Sequence, residues 1–231
     1  MKFSKINTNI APEGHKIILY SLIIWLIICS FLIYLNYAWT ALLSLFLISS
    51  ICYFFRDPNR ENICNKKLFF SPADGKILSI KKHIDADIGE SKKIAIFLSF
   101  FNVHRQWVPI DATVLNVFYN SGNFFGAYRN KASLKNEQSV ILFQNNNNNI
   151  FKIKQIAGLV ARRIVNHMNT NVKVCQGQKL GFIKFGSRVE IIVPNNFDIK
   201  VKKGMKVKGC KTIIGEFTKK SREVQNRTSN L

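Results

Sequence analysis

The stretch Leu180-Gly-Phe-Ile-Lys-Phe-Gly-Ser-Arg-Val-Glu-Ile-Ile-Val-Pro194 places Gly186-Ser187 between two strand-like runs. A Gly-Ser pair in such surroundings is typical of a surface hairpin turn or a bulge. It can also mark a reactive serine, because glycine gives the permissive backbone that a strained turn requires. A serine hydroxyl needs a base or a strained backbone before it attacks a carbonyl. No histidine follows this serine, so a base would have to come from upstream.

The chain after Arg56-Asp57-Pro58 consists of short apolar runs separated by Gly, Pro and Asn. Runs of this length with such punctuation predict a β-rich domain, all-β or α+β. Two segments, beginning at Val174 and Val201, resemble each other loosely because both place glycine turns between strands, as in small barrel-sandwich domains. The polar tail from residue 219 is expected to be disordered. The predicted strands are Gly75–Ile80, Lys93–Leu98, Ala112–Tyr119, Ser139–Phe143, Ile150–Ile156, Leu180–Lys184, Val189–Val193 and Lys211–Phe217.

The first quarter of the chain is strongly apolar, with 39 consecutive uncharged residues from Ile17 to Phe55. About 20 apolar residues cross a bilayer core, so this length allows two crossings. The run divides at Asn36-Tyr37-Ala38, which predicts a tight hairpin of helices Ile17–Leu35 and Trp39–Phe55. One long span and a re-entrant hairpin in one leaflet are the alternatives. A cleaved signal peptide fits less well, because no small-residue cleavage site ends the run.

Basic residues flank the apolar run on both sides, and positive charge favours the cytoplasmic side of a membrane. We therefore expect residues 1–55 to associate with the cell membrane and residues 56–231 to form a domain on its cytoplasmic face. The flanking cations are Lys2, Lys5 and Lys16 before the run and Arg56, Arg60, Lys66 and Lys67 after it.

The net charge is +21, from 34 Lys and Arg against 13 Asp and Glu. Three of those cations and one acid, Glu13, precede residue 56, which leaves +19 on residues 56–231. Such a surface favours anionic partners, either nucleic acid or anionic phospholipid. The attached apolar segment favours lipid, and no zinc finger, helix-turn-helix or RNA-binding aromatic pattern favours nucleic acid. Part of the charge can also reflect compositional drift in a chain rich in Lys, Asn, Ile and Phe.

The cysteines and histidines show no metal-binding pattern, since neither Cys-x-x-Cys nor His-x-His spacing occurs. We expect a reducing compartment, no disulfide framework and no catalytic metal. The residues concerned are Cys29, Cys52, Cys64, Cys175, Cys210, His15, His83, His104 and His167.

Two upstream segments supply candidate partners for Ser187. Ser71-Pro72-Ala73-Asp74-Gly75-Lys76 sets a carboxylate in a turn directly before a strand, which is also ordinary turn chemistry. His104 follows the apolar run Ile94–Phe101, where a lone histidine is often structural. Together, Asp74, His104 and Ser187 nevertheless supply an acid, a base and a nucleophile.

The order and spacing of several motifs resemble the short form of the phosphatidylserine decarboxylase family over about residues 55–217. Chance does not readily produce so many matching segments in the same order. The motifs are Phe55-Arg56-Asp57-Pro58, Ser71-Pro72-Ala73-Asp74-Gly75, Phe101-Asn102-Val103-His104 to Pro109, Gly122-x-Phe124-x-x-Ala127, Asn136-Glu137, Ile156-Ala157-Gly158 with Arg162-Arg163, and Phe185-Gly186-Ser187-Arg188-Val189-Glu190.

The resemblance implies a proenzyme that cuts itself between Gly186 and Ser187. It implies a β chain of residues 1–186 and an α chain of residues 187–231, associated as a heterodimer, alone or within a larger oligomer. Ser187 would become a covalent pyruvoyl group, which forms a Schiff base with the substrate amine and accepts electrons as pyridoxal phosphate does elsewhere. The implied substrate is phosphatidylserine at the membrane surface, and the products are phosphatidylethanolamine and carbon dioxide.

By the same resemblance, Ser187 is the cleavage nucleophile and Asp74 orients or charge-balances the base. His104 is expected to donate the proton during decarboxylation. The long form of the family has two histidines before the proline that matches Pro109, whereas this chain has His104 and, nearer the proline, Trp107. Either His104 serves both steps or another group takes one of them.

Two other functions fit parts of the sequence. A membrane-tethered carrier or adaptor of barrel-sandwich type suits the glycine-spaced strands, although Gly204-Met205-Lys206-Val207 only partly matches the turn of a modified-lysine carrier. A basic nucleic-acid binder is the third possibility.

Overall fold

The computed structural model describes residues 10–37, 40–60, 65, 67–122, 136–158, 163–184 and 187–218, without the side chains of 40–44. Within these ranges two helices precede a β-rich domain, which confirms the predicted fold class. Several predicted features lie outside the described residues. These are Lys2, Lys5, Ala38, Trp39, Cys64, Lys66, the Phe124 and Ala127 motif positions, Arg162, Phe185, Gly186 and the tail 219–231.

The apolar segment forms helix α1 (Pro12–Tyr34) and helix α2 (Thr40–Phe54). Helix α1 begins five residues before its predicted start at Ile17, because Pro12 suits the first helical turn, where its missing N–H costs nothing. Its 23 residues extend about 34 Å, enough to cross a bilayer core. The 15 residues of α2 extend about 22 Å. An antiparallel bridge between Ile10 and Arg56 brings the two ends of the hairpin together.

Among the described residues, α1 is the helix long and apolar enough to span a membrane. Most of its large side chains, such as Tyr20 and Ile27, are exposed. A helix whose apolar side chains face outward requires an apolar partner, which supports membrane association. How often the chain crosses the bilayer stays a prediction.

The described residues of the domain form three antiparallel sheets. The large sheet has the order β13-β2-β3-β11-β7-β6-β5-β9, and the two small sheets have the orders β1-β14-β12 and β4-β10-β8. The described strands are β1 (Leu68–Phe70), β2 (Gly75–Asp85), β3 (Gly89–Leu98), β4 (Arg105–Trp107), β5 (Ala112–Asn120), β6 (Gln138–Asn145), β7 (Ile150–Ala157), β8 (Ile164–Asn166), β9 (Lys173–Val174), β10 (Lys179–Ile183), β11 (Ser187–Pro194), β12 (Phe197–Ile199), β13 (Lys206–Val207) and β14 (Ile213–Phe217).

The sheet orders reveal two similar halves. The row β13-β2-β3-β11 repeats as β9-β5-β6-β7, and β1-β14-β12 repeats as β4-β10-β8. Matching backbone bonds support this pairing. The Phe70 N–H donates to the Pro109 carbonyl at 3.0 Å, and the Trp107 N–H donates to the Pro72 carbonyl at 2.9 Å. The loose likeness between the segments that begin at Val174 and Val201 is therefore part of a duplicated architecture.

Strand β11 lies in the middle of the large sheet, between β3 and β7. Its residues from Ser187 to Val193 are all buried, and Val189, Ile191 and Val193 belong to the main hydrophobic core. Strands β10 and β11 belong to different sheets. The interpretation of Gly186-Ser187 as a surface hairpin turn is therefore wrong, since Ser187 begins a central strand.

Candidate active site

Ser187 is fully buried where β11 begins, opposite Leu98 on β3 and Ala157 on β7. Its Oγ has no hydrogen-bond partner among the described residues. A buried hydroxyl without a partner costs about 1–3 kcal/mol and calls for an explanation. Its neighbour Gly186 lies outside the described residues.

His104 follows β3 in a loop that folds back on itself, where Asn102 Oδ1 accepts hydrogen bonds from the Ser99 N–H and hydroxyl. The His104 ring is fully buried and packs on Phe54 with ring centroids 4.3 Å apart. Its Nδ1 lies 2.9 Å from the Asn102 carbonyl oxygen. Because a carbonyl only accepts, Nδ1 carries the proton and Nε2 holds a free lone pair. That Nε2 has no hydrogen-bond partner among the described residues.

Burial lowers the pKa of His104 to about 4, with a smaller lowering from Arg56. The Asn102 carbonyl and the charge of Asp74 act in the opposite direction. The imidazole is therefore neutral at pH 7, with a bare Nε2. His104 therefore has the protonation state of a base.

Asp74 lies in the turn between β1 and β2 and is held by three donors. Arg60 forms a two-pronged ion pair with it, at 2.6 and 2.8 Å, and the Gly209 N–H donates to Oδ1 at 2.8 Å. The Arg60 guanidinium in turn stacks over Trp107, 4.2 Å from the ring centroid. Asp74 is therefore fixed in place and charge-balanced. Sequence analysis missed the role of Arg60, because no local pattern links it to a carboxylate 14 residues away.

The three predicted site residues lie near one end of the large sheet. Lys76 and Arg188 both pair with Phe97, so the Asp74 turn and Ser187 flank β3 on its two sides. Two strand spacings separate such positions by roughly 10 Å. The Ile183 N–H donates to the His104 carbonyl at 3.3 Å, which ties the histidine loop to the segment that leads to Ser187. The described hydrogen bonds include none that joins the three side chains to one another.

Two adjoining cavities open beside Asp74. Their volumes are about 410 and 610 Å³, and both are lined by Asp74, Phe101, Asn102 and Lys208. Asn102 and Val103 form part of the wall, and the buried His104 follows them in the chain. The cavities therefore lie next to Asp74 and the loop that holds His104.

A second polar cluster joins helix α1 to the domain and was not predicted. Arg105 is buried and donates to Glu13 at 2.7 and 2.8 Å and to Asp57 at 2.8 and 3.1 Å. Lys179 also contacts Asp57, and His167 contacts Glu13. Glu13 is the only acidic residue before Asp57. A single acid just before the apolar run was the one feature of the sequence that pointed to this cluster. We call these five residues the Arg105 cluster.

Comparisons with known proteins agree on one family. A family model described as phosphatidylserine decarboxylase matches residues 47–215. A phosphatidylserine decarboxylase proenzyme of Wolbachia pipientis wMel is 39% identical over 219 residues, which cover 92% of this chain and 93% of the relative. A proenzyme of the same name from Cytophaga hutchinsonii is 36% identical over 218 residues, covering 90% and 99%. One from Neisseria gonorrhoeae is 40% identical over 166 residues, covering 71% and 64%.

Proposed function

Because this chain belongs to the phosphatidylserine decarboxylase family, we propose that it converts phosphatidylserine to phosphatidylethanolamine and carbon dioxide after cutting itself between Gly186 and Ser187. The carrier and nucleic-acid interpretations do not fit a chain of this family. The observation that carries the self-cleavage proposal is the fully buried Ser187 hydroxyl, which has no hydrogen-bond partner among the described residues. A fold keeps such a costly group more readily where it serves chemistry.

In the proposed cleavage, Ser187 Oγ attacks the Gly186 carbonyl and gives up its proton to a base. The peptide bond to the Ser187 nitrogen breaks, leaving an ester. Elimination then releases the Gly186 carboxylate and leaves dehydroalanine, and hydrolysis of that residue releases ammonia and leaves a pyruvoyl group. The nucleophile and the carbonyl are neighbours in one chain, so proximity replaces much of the usual activation.

We assign His104 as the base, because its Nε2 is a bare acceptor at neutral pH and is buried near the same end of the sheet. A base with a conjugate-acid pKa of about 4 holds a proton weakly. The same nitrogen can therefore return a proton readily, which suits the predicted role of His104 as donor to the substrate carbon. Asp74, held by Arg60, raises the pKa of His104 slightly against the larger lowering from burial.

The pyruvoyl group would supply the electron sink for decarboxylation. The protein's own residues would bind and orient the lipid head group in the cavities beside Asp74. They would also keep water from the buried Ser187 position. The products of cleavage, residues 1–186 and 187–231, would stay together because β11 lies between β3 and β7.

We further propose that the domain works on the cytoplasmic face of the cell membrane, on a substrate that never leaves the bilayer. The exposed apolar hairpin would anchor the domain there. The net charge of +21 would add attraction to anionic lipid.

Intact-mass measurement of the purified chain tests the cleavage. We expect two chains, divided after residue 186, from the parent and one unbroken 26.5 kDa chain from Ser187→Ala. Ser91→Ala is the matched control, since Ser91 is also a buried strand serine. Normal processing of Ser187→Ala would mean that another nucleophile cuts the chain. His104→Ala is expected to lose phosphatidylserine turnover, and retained turnover would remove His104 from the site.

A further inference from the structure

The turn Lys208-Gly209-Cys210-Lys211 forms one rim of the smaller cavity, which both lysines line. We propose that these two lysines, together with Arg56, which lines the same cavity, bind the phosphodiester of the lipid substrate. The inference rests on the proposed function and adds to it the residues that recognise the head group.

The turn is rigidly attached to the candidate active site. The Lys211 N–H donates to the Lys208 carbonyl at 3.2 Å, which closes the turn and brings the two lysines within about 7 Å at their Cα atoms. The Gly209 N–H donates to Asp74, and the Cys210 N–H donates to the Ser71 carbonyl at 3.0 Å. A phosphate bound by this turn would therefore be held at a fixed position relative to Asp74.

The charges around the cavity are unbalanced. Asp74 is already neutralised by Arg60, whereas Lys208 and Lys211 are exposed and form no described ion pair. Arg56 donates to the neutral carbonyls of Tyr53 and Phe101. Burial lowers the pKa of Arg56, Tyr53 and Asp74 act in the opposite direction, and Arg60 adds a small further lowering. The described wall thus offers three cations to an incoming anion.

The duplicated half of the domain provides an internal comparison. Its equivalent turn is Cys175-Gln176-Gly177-Gln178, closed by a Gln178 N–H bond to the Cys175 carbonyl at 3.0 Å. There the Gln176 N–H donates to Asp111 at 2.7 Å, as Gly209 donates to Asp74. The third residue has a positive φ in both turns, 79° at Gly177 and 58° at Cys210.

The same turn therefore folds with uncharged residues at the positions that correspond to Lys208 and Lys211. Since the turn itself does not require lysines, their charge is available for a ligand. A phosphodiester carries one negative charge and suits ammonium groups as point charges and a guanidinium as a planar donor. Phe101 also lines the cavity and is 73% exposed. Arg56, which follows the hairpin, donates to its carbonyl, so the acyl side of the lipid would face the base of the hairpin.

Kinetics in neutral-detergent mixed micelles test this site in the full chain. For Lys208→Gln and Lys211→Gln we expect the KM for phosphatidylserine, as a surface mole fraction, to rise about fivefold each, the effect of losing one partly exposed charge contact. We expect kcat to change by less than about twofold, because the contact forms in both bound substrate and transition state. Lys202→Gln/Lys203→Gln is the matched control, since both lysines are exposed and outside the cavity lining.

Competition by glycerophosphoserine, a soluble phosphodiester without acyl chains, separates head-group binding from attraction to an anionic surface. We expect it to inhibit the parent and to inhibit Lys208→Gln/Lys211→Gln at least about tenfold less well. Unchanged inhibition, or a KM equal to that of the control, would overturn the proposal. If the parent shows no turnover, the proposed function fails, and calorimetric titration of glycerophosphoserine still tests the phosphodiester site by itself.

Discussion

The Arg105 cluster makes a quantitative prediction about how the apolar hairpin is fixed to the domain. The change is Arg105→Gln, which removes the charge but keeps an amide of intermediate length. The Arg105 side chain is 2% exposed, and the Asp57 and Glu13 side chains are 2% and 7% exposed. The substitution therefore leaves two carboxylates buried without their main cation.

Removing one partner of a buried ion pair costs about 3–5 kcal/mol, mostly because the other charge stays buried. Lys179 still reaches Asp57 at 2.7 Å, and His167 still reaches Glu13 at 2.8 Å. We therefore expect the free energy of unfolding to fall by about 3 kcal/mol, the lower end of that range. In a chain of this size that loss lowers the thermal midpoint by roughly 6–12 °C.

The assay is thermal unfolding in neutral detergent, in the Ser187→Ala background so that chain cleavage does not contribute. Lys200→Gln is the control, because the Lys200–Glu216 pair is exposed and such pairs contribute at most about 1 kcal/mol. A further variant, Arg105→Gln with Glu13→Gln and Asp57→Asn, removes all three charges and should recover part of the loss. If Arg105→Gln unfolds within about 2 °C of the control, the cluster does not stabilise the junction.

Two further predictions concern the domain interior. Folded His104 has a pKa of about 4 against 6.5 when unfolded, so the parent should lose stability relative to His104→Gln as pH falls below 6.5 and not above it. Between pH 7.5 and pH 4.5, the difference in free energy of unfolding between the parent and His104→Gln should change by about 2–3 kcal/mol. A difference that stays constant would contradict the buried neutral imidazole. For Gly181→Ala, the new Cβ would lie 2.3 Å from the Val165 carbonyl oxygen. We expect a loss of about 2 kcal/mol in the same denaturation assay, whereas an unchanged unfolding curve would show that β8 moves freely.

Local patterns predicted the elements of the fold well. The apolar run correctly predicted both helices. All eight predicted strands are present, with ends displaced by a few residues. Strand β2 is longer than predicted, because its antiparallel pairing with β3 continues as far as the Asp85–Gly89 pair. Alternating apolar residues in a sequence indicate a strand with one buried face. The polar second half of β2 has no buried residues, so the sequence lacks this signal there.

Partners far apart in sequence could not be predicted in the same way. Arg60 reaches Gly209 and Glu13 reaches Arg105 only because the chain folds back on itself. The hydrophobic periodicity around Arg60 or Glu13 does not indicate which distant residue each one contacts. The central position of Ser187 was likewise hidden, since a Gly-Ser pair has the same local signature in a surface turn and at the start of a buried strand.

The arrangement of the duplicated halves has a consequence for biosynthesis. One half, β4 to β10, is continuous in the chain, whereas the other is begun by β1 to β3 and completed only by β11 to β14. During synthesis, Ser187 and Gly209, whose N–H donates to Asp74, emerge only after the hairpin and strands β1 to β10. A polypeptide that stops before β11 therefore lacks the strand that lies between β3 and β7 in the middle of the large sheet. The proposed cut between Gly186 and Ser187 is therefore expected only after β11 has been inserted between β3 and β7.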